Sequence, residues 1–297
     1  KTETPIWGWA DPGEQITVSA CWKEAAKTKA DADGKWQVKI KTPKAGGPHK
    51  LTIKGKNTIK LKNVLIGEVW ICSGQSNMVM GIKIINNTAE EIANADYPKI
   101  RLFDAAHAIA DEPQKDVKGS WVECSPETIA KHGRWGGFSA AGYFFGRKLH
   151  KELDVPVGLI STNWGGTLAE AWTRREVLES DKDLKPIIDR FEENKNNYPQ
   201  YLKNYENQLE KWKEAAAKAK AENKKTPRRP RKPRLRHQNS PSSLYNGMIA
   251  PIIPFGIKGA IWYQGESNVP GEYQYRKLFP AMITNWRSDW GQGDFPF

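Results

Sequence analysis

A serine-containing polar turn near residue 76 follows an apolar segment, and this placement suits a nucleophile. Residues 69–72 are apolar, and they stop abruptly at the polar sequence Ser73-Gly74-Gln75-Ser76-Asn77. Apolar residues on both faces are typical of a buried parallel strand, and ligands bind beyond the carboxyl ends of such strands. A serine two residues after a conformationally permissive glycine is well placed for nucleophilic chemistry. A polar loop that merely caps a core strand is the alternative interpretation.

Two further apolar segments end in similar turns. Residues 157–162 break into Asn163-Trp164-Gly165-Gly166-Thr167, and residues 257–263 break into Gln264-Gly265-Glu266-Ser267-Asn268. Parallel packing of the three predicted strands would bring all three turns to one edge of the sheet. That edge would hold a serine, the backbone N–H groups of a Gly-Gly pair and amide side chains. These groups are the parts of a serine nucleophile with an oxyanion hole.

The same three motifs carry a family resemblance. In this order, Gly74-Gln75-Ser76-Asn77-Met78, Trp164-Gly165-Gly166-Thr167 and residues 262–268 resemble the sialate O-acetylesterase family of the SGNH/GDSL hydrolase superfamily. The resemblance covers nearly the whole chain, including residues 5–10, 31–36 and 243–248. It implies a carbohydrate esterase that removes O-acetyl groups from sugars through a serine acyl-enzyme, without a cofactor. O-acetylated sialic acid is the implied substrate, and acetylated xylan or another polysaccharide is the alternative.

The resemblance also assigns roles to residues. Ester hydrolysis at a serine requires an exposed Oγ, a base and donors for the oxyanion. The resemblance selects Ser76 as the nucleophile over Ser73, which is interpreted as a turn former. The predicted oxyanion donors are the N–H groups of Ser76 and Gly165 and the amide of Gln264, with Asn268 as second choice. Supporting roles are predicted for four further residues: Gln75, Asn77, Gly166 and Glu266. No residue is predicted to bind a metal.

The catalytic base is missing from this pattern. The resemblance implies an Asp-x-x-His segment near the C-terminus, but no such segment follows Asn268. The chain contains five histidines, none of which is assigned as the base: His49, His107, His132, His150 and His237. The sequence therefore predicts a hydrolase domain that is incomplete at its C-terminus. We expect a second polypeptide, or further residues, to supply the catalytic His and Asp. A non-catalytic glycan-binding relative is the alternative.

Composition excludes several classes of protein. The three cysteines form no Cys-x-x-Cys pair, which excludes a cysteine-based metal framework or a dense disulfide scaffold, and no apolar run has the length of a membrane span. The net charge is +12, but residues 202–237 hold thirteen Lys/Arg and four Asp/Glu, a net charge of +9. The remainder therefore carries only +3. Because no regularly spaced aromatic residues accompany this basic run, it indicates a solvated surface insertion rather than a nucleic-acid site. The predicted partner is an O-acetylated glycan, with neither nucleic acid nor membrane, and the resemblance implies a periplasmic or extracellular location.

The pattern of predicted elements indicates two units. Residues 1–62 alternate short β-like runs with turn-rich pieces and predict part of a small antiparallel β domain. Residues 63–297 predict a three-layer α/β/α, flavodoxin-like parallel sheet of the SGNH-hydrolase type, with a charged insertion at about 182–240. Within the insertion, residues 182–221 predict a helical arm or hairpin and residues 226–236 a basic, extended return. The predicted strands of the larger unit are residues 69–72, 100–103, 157–161 and 258–263, and its predicted helices are residues 138–152, 168–178 and 273–286.

Overall fold

The computed structural model describes residues 2–297, and its first part is an all-antiparallel β unit. Its strands are β1 (Glu3–Trp9), β2 (Gln15–Ala20), β3 (Ala25–Lys29), β4 (Lys35–Lys41), β5 (Gly46–Lys54) and β6 (Thr58–Ile66). Strand β1 pairs with β4, and the other four form a sheet in the order β3-β2-β5-β6. Side chains of β4 alternate between buried and exposed, and buried Trp36, Val38 and Ile40 join the small core between the two sheets. The predicted antiparallel unit is confirmed.

The second part is built on a five-stranded mixed sheet. Its strands are β7 (Glu68–Gly74), β8 (Tyr97–Asp104), β9 (Trp121–Cys124), β10 (Val157–Ser161) and β11 (Gly259–Tyr263). The order is β11-β7-β10-β8-β9; the first four are parallel, and β9 joins the edge antiparallel. Every residue of β10 is buried, as expected for a strand covered on both faces. The predicted parallel sheet is therefore confirmed for its four principal strands.

Helices cover both faces of this sheet. They are α1 (Ser76–Val79), α2 (Thr88–Ala93), α3 (Pro126–Lys131), α4 (Ala140–Leu153), α5 (Arg175–Ser180), α6 (Lys185–Ala221) and α7 (Glu272–Trp290). On one face, Tyr143 of α4 packs in a core with Cys72 and Leu159 of the sheet. On the other face, Ile71 and Ile160 pack in a core with Trp286 of α7. The alternation of side chains along β7 and β10 thus produces the three-layer arrangement that the sequence predicts.

One predicted helix is wrong. Residues 168–178 were expected to form a single helix, but a 3-10 helix (Ala169–Trp172) and α5 replace it, separated by extended backbone at Thr173. Long-range hydrogen bonds explain the break. The Ala169 N–H donates to Asn268 Oδ1, and the Arg174 N–H donates to Asn285 Oδ1. Because distant side chains satisfy these backbone groups, a continuous helix is not required at this position.

The charged insertion forms a single long helix and a return segment. Helix α6 contains 37 residues and continues through Pro199, so the predicted arm forms rather than the hairpin. Residues 224–234 return without helix or strand. The Trp212 indole donates to the carbonyl of Pro227, and the Tyr198 hydroxyl donates to that of Pro233. None of the helices within residues 2–297 is both long and apolar enough to cross a membrane.

Candidate functional site

The carboxyl ends of β7, β10 and β11 meet at one edge of the main sheet, as the sequence predicts. Gly74, the last residue of β7, lies opposite Tyr263 of β11, and Cys72 lies opposite Ser161 of β10. Backbone hydrogen bonds continue beyond the strands. The Gln75 N–H donates to the Tyr263 carbonyl at 2.9 Å, and the Trp164 N–H donates to the Gly74 carbonyl at 3.0 Å. The three turns therefore form one connected surface.

Ser76 lies at the start of α1, directly beyond the end of β7. Its side chain is partly exposed, whereas Ser73 is fully buried and its hydroxyl lies 3.5 Å from the Thr162 carbonyl. Of the two serines, only Ser76 is therefore accessible to a substrate. As the first residue of a helix, Ser76 also has an N–H without a partner inside that helix.

Gly165 lies beside Ser76. A β-carbon built on Gly165 would lie 3.8 Å from both Cα and Cβ of Ser76. The neighbouring Gly166 has a positive φ of 71° and open space where a β-carbon would stand, which keeps the outer side of this loop accessible. The structure thus brings the predicted nucleophile next to a predicted oxyanion donor.

Three predicted supporting residues join the loop after β7 to the loop after β11. The side-chain oxygen of Gln75 accepts hydrogen bonds from the N–H groups of Gly265 and Ser267, at 3.3 and 3.1 Å. The amide of Asn77 donates to the Glu266 carboxylate at 2.6 Å. Residues 75 and 77, on either side of Ser76, are therefore both fixed to the 264–268 loop, which restricts the position of the serine between them.

The Gln264 amide is used within this loop system. Its Nε2 donates to the Thr167 carbonyl at 3.0 Å and to Asn268 Oδ1 at 2.6 Å, and its Oε1 accepts from the Tyr275 hydroxyl. In this arrangement both N–H bonds of the amide are occupied. Gln264 therefore holds the 164–168 and 264–268 loops together, and its role as an oxyanion donor stays a prediction.

Asn268 reaches a buried carboxylate that the sequence analysis did not identify. Its Nδ2 donates to Glu170 Oε2 at 3.0 Å, while its Oδ1 accepts from the Ala169 N–H. Glu170 is only 8% exposed, and burial raises the pKa of its carboxyl. Because Glu170 lies in a segment that the sequence predicted to be an ordinary helix, no local signal distinguished it.

His107 packs against the loop that contains Gly165. Its ring stacks on Trp164 with centroids 3.7 Å apart, and its Nε2 donates to the Asn163 carbonyl at 3.0 Å. Burial, with a smaller contribution from the Arg134 charge, lowers the pKa of His107 to about 4. The neutral ring therefore carries its proton on Nε2 and helps to position the Gly165 loop.

The other histidines lie elsewhere. His49 lies beside Trp22 and His150 beside Tyr97, while His132 stacks on Phe138. His237 accepts a hydrogen bond from the Asn239 N–H. Within residues 2–297, none of the hydrogen bonds of the five histidines reaches Ser76. The candidate site in the described residues thus brings together the predicted nucleophile Ser76 and the predicted oxyanion donor Gly165, and no histidine here is assigned as its base.

Asn239 is a second residue that the sequence analysis missed. Its side-chain amide donates to the Gly166 carbonyl and accepts from the Leu168 N–H, both at 2.9 Å. It thereby connects the end of the charged insertion to the Gly165-Gly166 turn. Contacts between residues this far apart in the chain leave no periodic signal in the sequence. Among the residues that the structure describes, no cluster of His, Cys, Asp and Glu has the arrangement of a metal site.

Comparison with known proteins agrees with the three motifs. A family described as carbohydrate esterase, sialic acid-specific acetylesterase, matches residues 66–222. The sialate O-acetylesterase of Rattus norvegicus is 32% identical and covers 97% of this chain, while 53% of that protein is covered. The Homo sapiens sialate O-acetylesterase is 30% identical, with 98% and 52% covered, respectively. The chain therefore spans about half the length of the curated relatives it matches.

A solved structure shows the same architecture. The crystal structure of a carbohydrate acetylesterase from Xanthomonas citri is 29% identical and superposes with a TM-score of 0.73. The match covers 99% of this chain and 54% of that chain. The similarity extends over the antiparallel β unit and the main sheet, so both parts of the fold occur together in that protein.

Proposed function

The chain belongs to the carbohydrate esterase family described as sialic acid-specific acetylesterases, and from this premise we propose that it removes O-acetyl groups from sugars. The observation that carries the proposal is the proximity of the partly exposed Ser76 to Gly165 at the edge of the sheet. Ser76 and Gly165 are far apart in the sequence, so the fold is needed to bring them together. It supports ester hydrolysis because a nucleophilic oxygen and backbone donors must act on the same carbonyl group.

In the proposed mechanism the Ser76 hydroxyl attacks the acetyl carbonyl. The Ser76 proton passes to a base, and the N–H groups of Ser76 and Gly165 stabilise the negative charge on the carbonyl oxygen. Collapse of the tetrahedral intermediate breaks the ester bond, and the sugar hydroxyl leaves with a proton. Water then hydrolyses the acetyl-serine and releases acetate. The bonds of Gln75 and Asn77 to the 264–268 loop support this assignment, since they hold Ser76 in one position.

The proposed base is a histidine outside the described residues. This part of the proposal is supported by the five histidines: His49, His107, His150 and His237 form hydrogen bonds with groups other than Ser76. The fifth, His132, stacks on Phe138. A second polypeptide, or further residues, would provide it with its aspartate partner. The proposed substrate is O-acetylated sialic acid, after the relatives' names, with an acetylated neutral polysaccharide such as xylan as the alternative.

Two assays test the serine assignment, both on the protein together with the polypeptide or further residues that supply the proposed base. A fluorophosphonate probe should label wild type and Ser73→Ala, whereas Ser76→Ala should remain unlabelled. Hydrolysis of p-nitrophenyl acetate should fall by at least about 100-fold in Ser76→Ala, since loss of a nucleophile typically costs more than this. Equal, slow hydrolysis by wild type and Ser76→Ala would reject catalysis at Ser76.

The same observation about the histidines favours a second candidate function, a glycan-binding protein without turnover. That protein would retain affinity for acetylated sugars while wild type and Ser76→Ala hydrolyse p-nitrophenyl acetate equally slowly. Calorimetric titration with O-acetylated sialic acid, alongside the hydrolysis assay, separates the two functions. Binding without Ser76-dependent turnover would support the glycan-binding protein, whereas Ser76-dependent turnover would exclude it.

A further inference from the structure

The return segment after α6 has a repeat that sorts its residues onto different sides. Prolines recur at every third position, at Pro227, Pro230 and Pro233. A proline-rich extended chain has three residues per turn, so these prolines share one side. Arg228, Arg231 and Arg234 then form a second row, with about 9 Å between successive members.

The proline row faces helix α6. The carbonyls of Pro227 and Pro233, two repeats apart, both accept hydrogen bonds from α6 side chains. Pro230 and Pro233 are partly buried, whereas the basic residues of the second row are exposed. The segment is therefore fixed along the helix with its arginine row directed towards solvent.

The charge of this row is not neutralised within the protein. Arg236 forms an ion pair with Asp111, and Arg229 lies over the Trp212 ring at 5.6 Å. In contrast, the salt bridges among residues 2–297 include none to Arg231, Lys232 or Arg234. These three residues and His237 line an open depression of about 630 Å³. Uncompensated guanidinium groups in a concave site favour ligands that carry carboxylate or sulfate groups.

The depression is connected to the candidate active site. His237 accepts a hydrogen bond from the Asn239 N–H, and Asn239 in turn is bonded to Gly166. Gly166 is exposed and adjoins Gly165, which lies beside Ser76. The His237 end of the depression is therefore fixed beside the Gly165-Gly166 turn, which adjoins Ser76.

We propose that Arg231, Lys232, Arg234 and His237 form a binding site for the anionic groups of a glycan whose acetylated sugar lies at Ser76. The ligand class is an acetylated polysaccharide that carries carboxylate or sulfate groups. This inference rests on the proposed function, and it extends that function by naming a polyanionic substrate. A nucleic acid is disfavoured because the residues that line the depression include no Trp, Tyr or Phe on which a base could stack, and Arg229 lies over one face of the nearby Trp212 ring.

Binding of fluorescently labelled oligogalacturonate, measured by anisotropy in the Ser76→Ala background, tests the site without requiring turnover. The variant is Arg231→Gln/Lys232→Gln/Arg234→Gln. A matched control, Lys203→Gln/Lys211→Gln/Lys218→Gln, removes the same charge from exposed positions of α6. We expect at least about a tenfold weaker Kd for the Arg231/Lys232/Arg234 variant and less than about a twofold change for the control, because charge-assisted hydrogen bonds are lost only in the former.

The outcomes separate this inference from the proposed function. If both triple variants weakened oligogalacturonate binding equally, the effect would be due to net charge alone, and the proposed site would be overturned. Tighter binding of a single-stranded DNA of equal charge would also overturn it, in favour of a nucleic-acid partner. A labelled sulfated oligosaccharide of matched length identifies whether carboxylate or sulfate is preferred. Loss of p-nitrophenyl acetate hydrolysis in Ser76→Ala tests only the proposed function, since neither triple variant alters the residues around Ser76.

Discussion

At this site, side chains form hydrogen bonds with residues that are far away in the sequence. Gln75 and Asn77 bind the loop after β11, and Gln264 binds the carbonyl of Thr167 in the loop after β10. In the same loop, Asn268 donates a hydrogen bond to the buried carboxylate of Glu170. The neighbours of Ser76 are thus immobilised from both adjacent strands. Such preorganisation is what an oxyanion site requires, since donors that must reorient during the reaction stabilise the transition state less.

His107 should give the protein a measurable pH dependence of stability. Its pKa is lowered to about 4 in the folded state, from an ordinary value of 6.5, chiefly because the ring is partly buried. Between these values the unfolded chain binds the proton more readily, so acidification favours unfolding. The free energy of unfolding of wild type should therefore fall, relative to His107→Phe, as the pH decreases from 6.5 towards 4.

Urea denaturation of both proteins at several pH values measures this difference. Phenylalanine can retain the stack on Trp164 while removing the titratable group and the bond to the Asn163 carbonyl. The contributions of the remaining histidines cancel, because both proteins contain them. Parallel curves for wild type and His107→Phe over this pH range would contradict the prediction.

Among the secondary-structure elements, the junction between β7 and α1 combines a left-handed backbone conformation with a close approach of another strand. Gly74 has a φ of 137°, and a β-carbon there would lie 2.2 Å from the Tyr263 carbonyl oxygen of β11. A side chain would therefore strain the backbone and force two paired strands apart. Gly74, two residues before the proposed nucleophile, is required both for the turn and for the approach of β11 to β7.

Gly74→Ala should therefore destabilise the protein by at least about 2 kcal/mol, because backbone strain and overpacking act together. Gly166→Ala is the matched control. That glycine also has a positive φ, but no atom lies within 4 Å of the position that a β-carbon would occupy. Its substitution should cost about 1 kcal/mol from strain alone. Chemical denaturation compares the two variants, and equal losses of stability would show that contact with β11 is unimportant.

The sequence predicts elements well where a single local pattern determines them. The apolar runs that become β7 and β10 were identified because both faces of these strands are buried, and the predicted site residues follow directly at their ends. Segment 168–178 was mispredicted because its N–H groups bond to Asn268 and Asn285, about 100 residues away. Glu170 and Asn239 were missed for the same reason. The order of the motifs along the sequence identifies the strand ends. Residues such as Glu170 and Asn239, which hold the loops in place, are recognised only from their hydrogen bonds in the structure.

At the scale of the whole molecule, aromatic and polar side chains join the antiparallel β unit to the unit built on the main sheet. Phe255 makes one such contact: its ring lies 6.0 Å from Trp7 of β1 and, within its own unit, 6.1 Å from Trp121 of β9. A polar contact adds to it, because Arg101 of β8 donates to the side chain of Asn63 in β6. Since each unit has its own hydrophobic core, cooperative unfolding of the two depends on the contacts between them.

Phe255→Ala should weaken this coupling. Removal of a partly buried aromatic ring with two aromatic neighbours should cost about 2 kcal/mol, less than the loss at a fully buried position. More diagnostically, calorimetry should resolve two thermal transitions in the variant where wild type shows one. Tyr273→Ala provides the control, since that side chain is 74% exposed and its loss should change the free energy of unfolding by less than about 0.5 kcal/mol. A single transition at the wild-type temperature in Phe255→Ala would contradict this prediction. It would show that contacts other than those of Phe255 with Trp7 and Trp121 couple the two units.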